Sequence, residues 1–563
     1  MKLVKSLHKK SPLFLLICLA VIAIGNVLAT YFPLRIDLTA DKRYTLHPST
    51  KALLGHLKSK VHVDIYLAGD LPTGFKQLQS NLKALLEEFK AYAPYPITYQ
   101  LIDVNQEPID QRKEILKKLA EQRIEPTNLY QQSRGQRTEK IIYPGAILFY
   151  EGKEAGIMLL KANKMSSAAN MVSQSIENLE YEVIRSLSKL VHHKPVQIGL
   201  VQGHGEPSST QLQGLSQALN ECYQVDQVML AETTNLNHYG ALLITKPKKP
   251  FSEVEKYILD QYIMQGGKVL FFLDRLRIDM DSLTSGNSFA FPLDLQLDDQ
   301  LFRYGVRMNY DLIKDLQSGV YPIVVGKMGN QPQLRFLPWP FFPVLNHFAD
   351  HVITKNTNAL YTQFVSSIDA VHAEGIIQTP LICSSPYSLK AGTPVYVDLE
   401  SLRKSPDTAL YQQGPIPVAY LLEGKFHSLY KNRLPPDGIN TLSSNFIAIS
   451  QPTKILVVAS GSMVLNAVSP KEGYALPWGY DPFLQQHFAN QDFVLNALAY
   501  MLEESGIINA KRKTIKLRML DNLKVQHTRL YWQLINMLTP IFLLLLVGVT
   551  WHMVRKRRYC MKA

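Results

Sequence analysis

Two stretches of this chain carry no charged side chain, and between them short apolar runs alternate with apolar positions at helical spacing. In the first stretch, 11–34, the segment from Pro12 to Ala29 is almost wholly apolar. The second, 530–554, has Tyr531 and Trp532 at one edge and Trp551 at the other. At about 1.5 Å per helical residue either is long enough to cross a bilayer, and aromatic residues at both edges suit its interfaces. For the first stretch a cleaved signal peptide is the rival reading, since basic residues precede it and Val27-Leu28-Ala29 resembles a small-residue cleavage site. Its length favours a retained anchor.

The region after the first stretch has its own rhythm. A short helix signal at 49–57 is followed by strand-like Val61 to Leu67 and a long amphipathic pattern from Phe75 to Tyr92. In that pattern Leu78, Leu82, Leu85, Leu86 and Phe89 share one helical face. Strand 97–104, helix 109–123, strands 140–150 and 155–160 and helix 171–190 complete the order β-α-β-α-β-β-α. A thioredoxin-like fold uses that order, with its functional loop after the first strand. Here the loop reads Gly69-Asp-Leu-Pro-Thr-Gly74 and lacks the redox dithiol.

A second α/β pattern begins at Lys194-Pro195. Val196 to Val201 is an apolar run suited to a buried parallel strand, and Ser208 and Gln211 have the spacing of a capping box. Strands 224–230, 241–245 and 268–273, with a helix at 252–264, continue a doubly wound unit. A late strand, 454–459, runs into Ser460-Gly-Ser-Met463, and an amphipathic helix follows at 488–502. Between them, 275–451 reads as an insertion rich in Pro, Phe and Tyr, in which Leu337-Pro-Trp-Pro-Phe-Phe-Pro343 is extended.

Charge sharpens this layout. The 563 residues carry a formal net charge of +13, which raises nucleic acid or an anionic membrane as partner. Nine of those charges sit in two tails: Lys2, Lys5, Lys9 and Lys10 before the first span, and Arg555, Lys556, Arg557, Arg558 and Lys562 after the second. The surplus is therefore mostly a topology signal, with both termini cytoplasmic and no nucleic acid implied. The expected plan is a basic tail (1–10), a first span (11–34), a thioredoxin-like domain (35–193) and a second α/β domain (194–510) with its insertion. A basic membrane-proximal segment (511–529), a second span (530–554) and a basic tail (555–563) follow. The 511–529 segment, from Lys511 to Arg529, is expected to meet lipid phosphates or an acidic partner.

Candidate chemistry is sparse. The loop Gly203-His204-Gly205-Glu206, between a predicted parallel strand and a helix, is the best ligand-binding candidate. Ligands settle at the carboxyl ends of such strands, and glycines let backbone approach an anion. A tight turn with positive φ, in which His204 and Glu206 are solvated or paired with each other, is the simpler account. No P-loop is present, since Gly326-Lys327 is followed by Met328. Ser186-Leu-Ser-Lys189 and Ser401-Leu-Arg-Lys404 lack the companion motifs of a Ser-Lys hydrolase, and there is no nucleophile elbow. His192-His193 has no partner ligand nearby, and Cys222 and Cys383 are the only cysteines outside the first span and the tail. No catalytic residue, metal or cofactor is assigned.

Several longer strings carry a resemblance. Arg35-Ile-Asp-Leu-Thr-Ala-Asp-Lys-Arg-Tyr-Thr-Leu46, the run from Gly69 to Gln79, Gly203 to Glu206, Leu301-Phe-Arg-Tyr-Gly-Val-Arg-Met-Asn309, Leu337 to Pro340 and the ending from Asn496 resemble the gliding-motility-associated ABC transporter family GldG. The resemblance covers nearly the whole chain. It implies an auxiliary, substrate-binding-like subunit in the bacterial inner membrane, with a large periplasmic body. It also implies a separate permease, a separate cytoplasmic ABC ATPase and an envelope cargo as partners, and an amidotransferase-like character for the second domain. Where the family often has an Asp-Ser-Asp-like turn, this chain has Ser460-Gly-Ser-Met463. An extracytoplasmic enzyme using His204 and Glu206, or a structural envelope scaffold, are the alternatives.

Overall fold

The computed structural model describes residues 45–560 except 123, 134–135, 161–167, 192–195, 232–234, 279–282, 284–286, 329–330, 437–445, 470–471, 503–505 and 513–521; ahead of them it describes 19, 20, 23 and 37. The first apolar stretch thus lies outside the described residues apart from Leu19, Ala20 and Ala23, which are helical. His192-His193 also lies outside them.

The fold is mixed α/β. After helix α1 (Pro48–Gly55), strand β1 (Val61–Ile65) leads through α2 (Thr73–Lys90) to β2 (Ile97–Leu101) and α3 (Ile109–Glu121). The hairpin β3 (Thr127–Ser133) and β4 (Gln136–Ile142) then precedes β5 (Gly145–Tyr150), β6 (Lys153–Met158) and the long helix α4 (Ala168–Val191). The sheet order is β2-β1-β5-β6, parallel between β1 and β2 and antiparallel elsewhere. The apolar stripe of α2 does what its spacing predicts, for Leu78, Leu82, Leu86 and Phe89 are all buried. The separate β3–β4 hairpin was not foreseen: the expected strand 140–150 divides after Ile142, and its first part pairs with β3.

The next part is built on one eight-stranded sheet. Strand β7 (Gln197–Gln202) is followed by α5 (Gln213–Asn220), β8 (Gln224–Met229), β9 (Tyr239–Thr245), α6 (Glu253–Met264), β10 (Lys268–Phe272) and α7 (Asp298–Tyr304). A strand-rich region then contributes β11 (Asp311–Asp315), β12 (Ser318–Met328), β13 (Gln331–Leu345), β14 (His347–Phe348), β15 (Ile376–Cys383), β16 (Ser388–Gly392) and β17 (Pro417–Gly424). Strand β18 (Thr453–Val458) and α8 (Asn490–Leu502) close the unit. The sheet order is β14-β15-β17-β18-β10-β9-β7-β8. Five strands, β8 to β18 in that order, run parallel, and β17, β15 and β14 extend the sheet in antiparallel fashion. Three strands of the region read as an insertion therefore belong to the main sheet.

Both faces of this sheet are covered, which explains its near-continuous apolar strands. One face packs α5 and α8, through Leu215, Leu219, Phe493 and Leu498, against Leu200, Leu243 and Leu456. The other packs α6 and α7, through Leu259, Ile263, Leu301 and Tyr304, against Val201, Leu242 and Val457. Buried carboxylates fasten the strand-rich additions. Asp260 on α6 accepts hydrogen bonds from Tyr304 Oη (2.8 Å), Ser428 Oγ (2.6 Å) and the Leu429 amide (3.0 Å). Asp311 and Asp315 on β11 take up Ser367 and Ser385 in the same way, each through a backbone amide and a hydroxyl.

Lys511 departs from expectation. It is buried, its Nζ donates to Asn496 Oδ1 at 2.7 Å, and it lies 4.5 Å from the centre of the Tyr181 ring. A cation already held by an amide oxygen and an aromatic face within the protein cannot serve lipid phosphates, so Lys511 leaves the membrane-proximal basic set. Cys222 and Cys383 are both free thiols.

Residues 515–563 form a separate unit. It contains helix α9 (Asn522–Cys560), whose segment Tyr531–Lys556 has a mean hydropathy of 2.1 and no burial within the protein. Among the described residues it is the one helix long and apolar enough to cross a membrane.

Candidate functional site

The parallel strands set where a site can form. Taken in chain order, β7, β8, β9, β10 and β18 lie in the sheet as second, first, third, fourth, fifth, so the direction of winding reverses between β7 and β9. At such a reversal the loops leaving the two strands diverge and open a crevice. The loop leaving β7 is Gly203-His204-Gly205-Glu206, and the loop leaving β9 begins at Lys246.

The predicted loop lies at the reversal, and His204 fills it. Gly203 and Gly205 adopt φ of +118° and +74°, which allows the backbone to turn back on itself. The Glu206 carboxylate then accepts from the amides of Gly203 (3.0 Å) and His204 (2.9 Å) through Oε2. Its Oε1 faces His204 Nδ1 at 3.3 Å. From the other side, His204 Nε2 faces Glu255 Oε1 at 3.2 Å. These are close charge pairs whose angles fall short of good hydrogen-bond geometry. The imidazole stacks on Phe251, with ring centres 3.7 Å apart and planes at 13°. Even the His204 carbonyl is engaged, accepting from the amides of Lys248 (2.7 Å) and Lys249 (2.8 Å).

Glu255 was missed at the sequence level, although its signal is present. Ser252 and Glu255 form a capping box at the start of α6, in which Glu255 Oε2 accepts from the Ser252 amide at 2.8 Å and hydroxyl at 2.7 Å. One carboxylate thus caps a helix with one oxygen and holds His204 with the other.

The electrostatics follow. Burial is the largest single influence on His204 and opposes its charge, but Glu206 and Glu255 together outweigh it and hold the group above the ordinary imidazole range. Burial likewise raises Glu206 and Glu255. For Glu206 the His204 ring and the backbone amides of Glu206 and His204 overcome it, for Glu255 the Ser252 cap and His204 do, and both end below the ordinary carboxylate range. The triad can carry an imidazolium between two carboxylates. An incoming anion meets a ring whose two nitrogens each already face a carboxylate.

The remaining parallel strands end in a second polar cluster. Lys246, at φ +50°, places Nζ 3.0 Å from Asp274 Oδ2 just beyond β10. Asp274 Oδ1 accepts from the amide of Gly461, in the turn after β18. A side chain at Gly461 would come within 2.6 Å of Lys246 Cβ and Cγ, so the Ser-Gly-Ser turn is what lets these loops close on one another. Ser460 and Ser462 hydroxyls lie 2.9 Å apart, and Ser462 Oγ accepts from the Gln363 amide at 2.9 Å. The turn is polar, as in the pattern it departs from, but its polar groups are spent on neighbouring loops. Among the described residues no three His, Cys, Asp or Glu side chains converge to hold a metal ion.

Comparison with known proteins gives the following. Residues 195–497, just over half of the chain, match a family described as an ABC-type uncharacterized transport system. Residues 40–149 match a domain of unknown function. An uncharacterized protein of Borreliella burgdorferi is 23% identical over 411 residues, covering 71% of this chain and 74% of that protein. Among solved structures, the mmIFT52 N-terminal domain aligns at a TM-score of 0.30 and 13% identity, over 54% of this chain and 96% of its own. A chain described as ThuA-like, from Parabacteroides merdae, aligns at 0.25 and 11%, over 58% and 94%.

Proposed function

We propose that this chain, which belongs to the ABC-type uncharacterized transport system family, is a membrane-anchored auxiliary subunit that presents a large binding body to a separate permease and a separate ABC ATPase. The observation that carries the reading is the joining of the family-matched α/β unit, 195–497, to a helix whose 26-residue segment Tyr531–Lys556 is apolar and unburied. An apolar helix left unburied belongs in a bilayer or against another subunit. In this reading the stretch 11–34 is a second anchor, both basic tails are cytoplasmic and the body lies in the periplasm of a bacterial inner membrane. The gliding-motility type of system is the finer assignment, supported by the strings quoted above.

The two folded parts are read as a thioredoxin-like unit and an amidotransferase-like unit. Support for the first is the order β2-β1-β5-β6 with a single parallel pair. Support for the second is a parallel sheet whose winding reverses between β7 and β9. Gly203 to Glu206 is assigned to closing the crevice at that reversal and tying the loop after β7 to the start of α6. This reading is preferred to an enzyme working through His204 and Glu206 because both ring nitrogens face carboxylates of the chain itself.

The test is purification of the full chain in mild detergent with identification of what accompanies it. A multispan permease and a nucleotide-binding ATPase in comparable amounts are expected. Recovery of the chain alone would refute the coupling role.

A further inference from the structure

Outside the parallel sheet, the strand-rich region holds a cavity of about 680 Å³ between β11, β12, β13 and the segment 402–411. That volume lies within the range of pockets for small organic ligands. Its wall and its rim differ in character. Ile323, Trp339, Phe341 and Leu402 are buried and form an apolar, aromatic floor. Arg335, Arg403 and Lys404 are exposed and line the cavity beside it, with half-buried Lys314 further in. None of the described lining residues is an Asp or Glu.

Two buried polar groups here find no partner among the described residues. Trp339 Nε1 and Ser318 Oγ, both on lining residues, are buried without a hydrogen-bond partner among the described residues. Buried donors without partners are uncommon in folded proteins and call for an acceptor. Lys314 lies 4.7 Å from the centre of the Phe341 ring, and burial pushes its ammonium below the ordinary lysine range, a shift that Asp398 only partly offsets. Among the rim cations Arg403 donates to the Val324 carbonyl at 3.3 Å. The contrast with the parallel sheet is chemical: there His204 and Lys246 each meet a carboxylate, and here several cations surround an apolar floor with no carboxylate on the described wall.

We propose that this cavity is a binding site for a small organic anion with an apolar or ring-shaped body, whose carboxylate or phosphate meets Arg335, Arg403 and Lys404 while its body lies on Trp339 and Phe341. Ser318 and the Trp339 N–H then supply hydrogen bonds to acceptors on the ligand body. The inference rests on the reading of the chain as a substrate-binding-like subunit for its purpose, and it adds the chemical class of what is bound.

The test uses the full chain in phosphatidylcholine nanodiscs, titrated calorimetrically with 2-naphthoate, 2-naphthyl phosphate and the uncharged 2-naphthamide. At least one anion is expected to bind, about tenfold or more tighter than the amide, and the tighter of the two identifies the head group. The double variant R403E/K404E and, separately, R335E alter exposed positions, so near-ultraviolet circular dichroism should be unchanged. Each should weaken the anion about tenfold, with the loss shrinking as salt is added. Equal binding of the amide, unchanged affinity in both variants, or no binding of either anion would overturn the proposal. Because no partner is present, these outcomes are independent of whether a permease and an ATPase co-purify.

Discussion

The loop at the winding reversal and the cavity in the strand-rich region are both built from cationic and aromatic side chains, yet they are finished differently. At the loop, His204 lies between Glu206 and Glu255 and stacks on Phe251. In the cavity, Lys314, Arg335, Arg403 and Lys404 line a floor containing Trp339 and Phe341, with no carboxylate on the described wall. The same ingredients make a fastening when opposite charges are supplied within the chain, and a receptor when they are left to be supplied from outside. A conspicuous motif in a loop that favours ligands is therefore weaker evidence for binding than the balance of charge around it.

The contrast can be broken most forcefully at His204. His204→Ala leaves two carboxylates, one of them buried, facing each other without the cation, and should cost about 3 kcal/mol or more of stability. Denaturant unfolding of the full chain measures it, and a loss below about 1 kcal/mol would mean that the clasp is not a fastening. Next comes Gly461→Ala, whose added methyl would lie 2.6 Å from two carbons of Lys246. It should cost about 1–3 kcal/mol by the same assay.

A pH titration gives a smaller and more specific effect. The folded value of His204 is raised, so its stabilising contribution is complete below the ordinary imidazole range and is lost as pH rises through the folded value. Those of Glu206 and Glu255 are lowered, so their contribution is present above the ordinary carboxylate range and is lost as pH falls through their folded values. The clasp should thus stabilise most in mildly acidic conditions. Glu255→Gln should flatten the alkaline limb of the unfolding midpoint against pH, and an unaltered limb would assign it to another group. Smallest of all, Lys314→Met in the cavity should leave stability within about 1 kcal/mol of the parent, because it removes a half-buried cation. A large loss would show that the cavity, too, is a structural element.

What could be read from sequence followed locality. Helix α2 was legible because Leu78, Leu82, Leu86 and Phe89 repeat at helical spacing and all four are buried. Apolar runs such as Leu242 to Ile244 and Leu456 to Val457 marked the central strands. The β3–β4 hairpin was not legible, because Gln131-Gln-Ser-Arg-Gly-Gln-Arg-Thr-Glu139 has no apolar alternation to announce strands. Nor could sequence show that β17 would pair antiparallel with β18, since Ala419 and Val458 meet only through the fold. For the site, Gly203 to Glu206 was visible as a motif, but its partner Glu255 was not, because only the fold brings the start of α6 against that loop. The cavity was invisible because Trp339 and Leu402 are brought together by tertiary packing, and unbalanced charge is a property of a surface rather than of a run of residues.

The claim that ligands belong to the cavity and not to the loop is tested most directly by hydrogen–deuterium exchange of the full chain with and without saturating 2-naphthyl phosphate or 2-naphthoate. Slowed exchange around 314–325, 335–341 and 402–406, with 203–206 and 246–252 unchanged, is the predicted result. Protection of 203–206 with none around the cavity would contradict it.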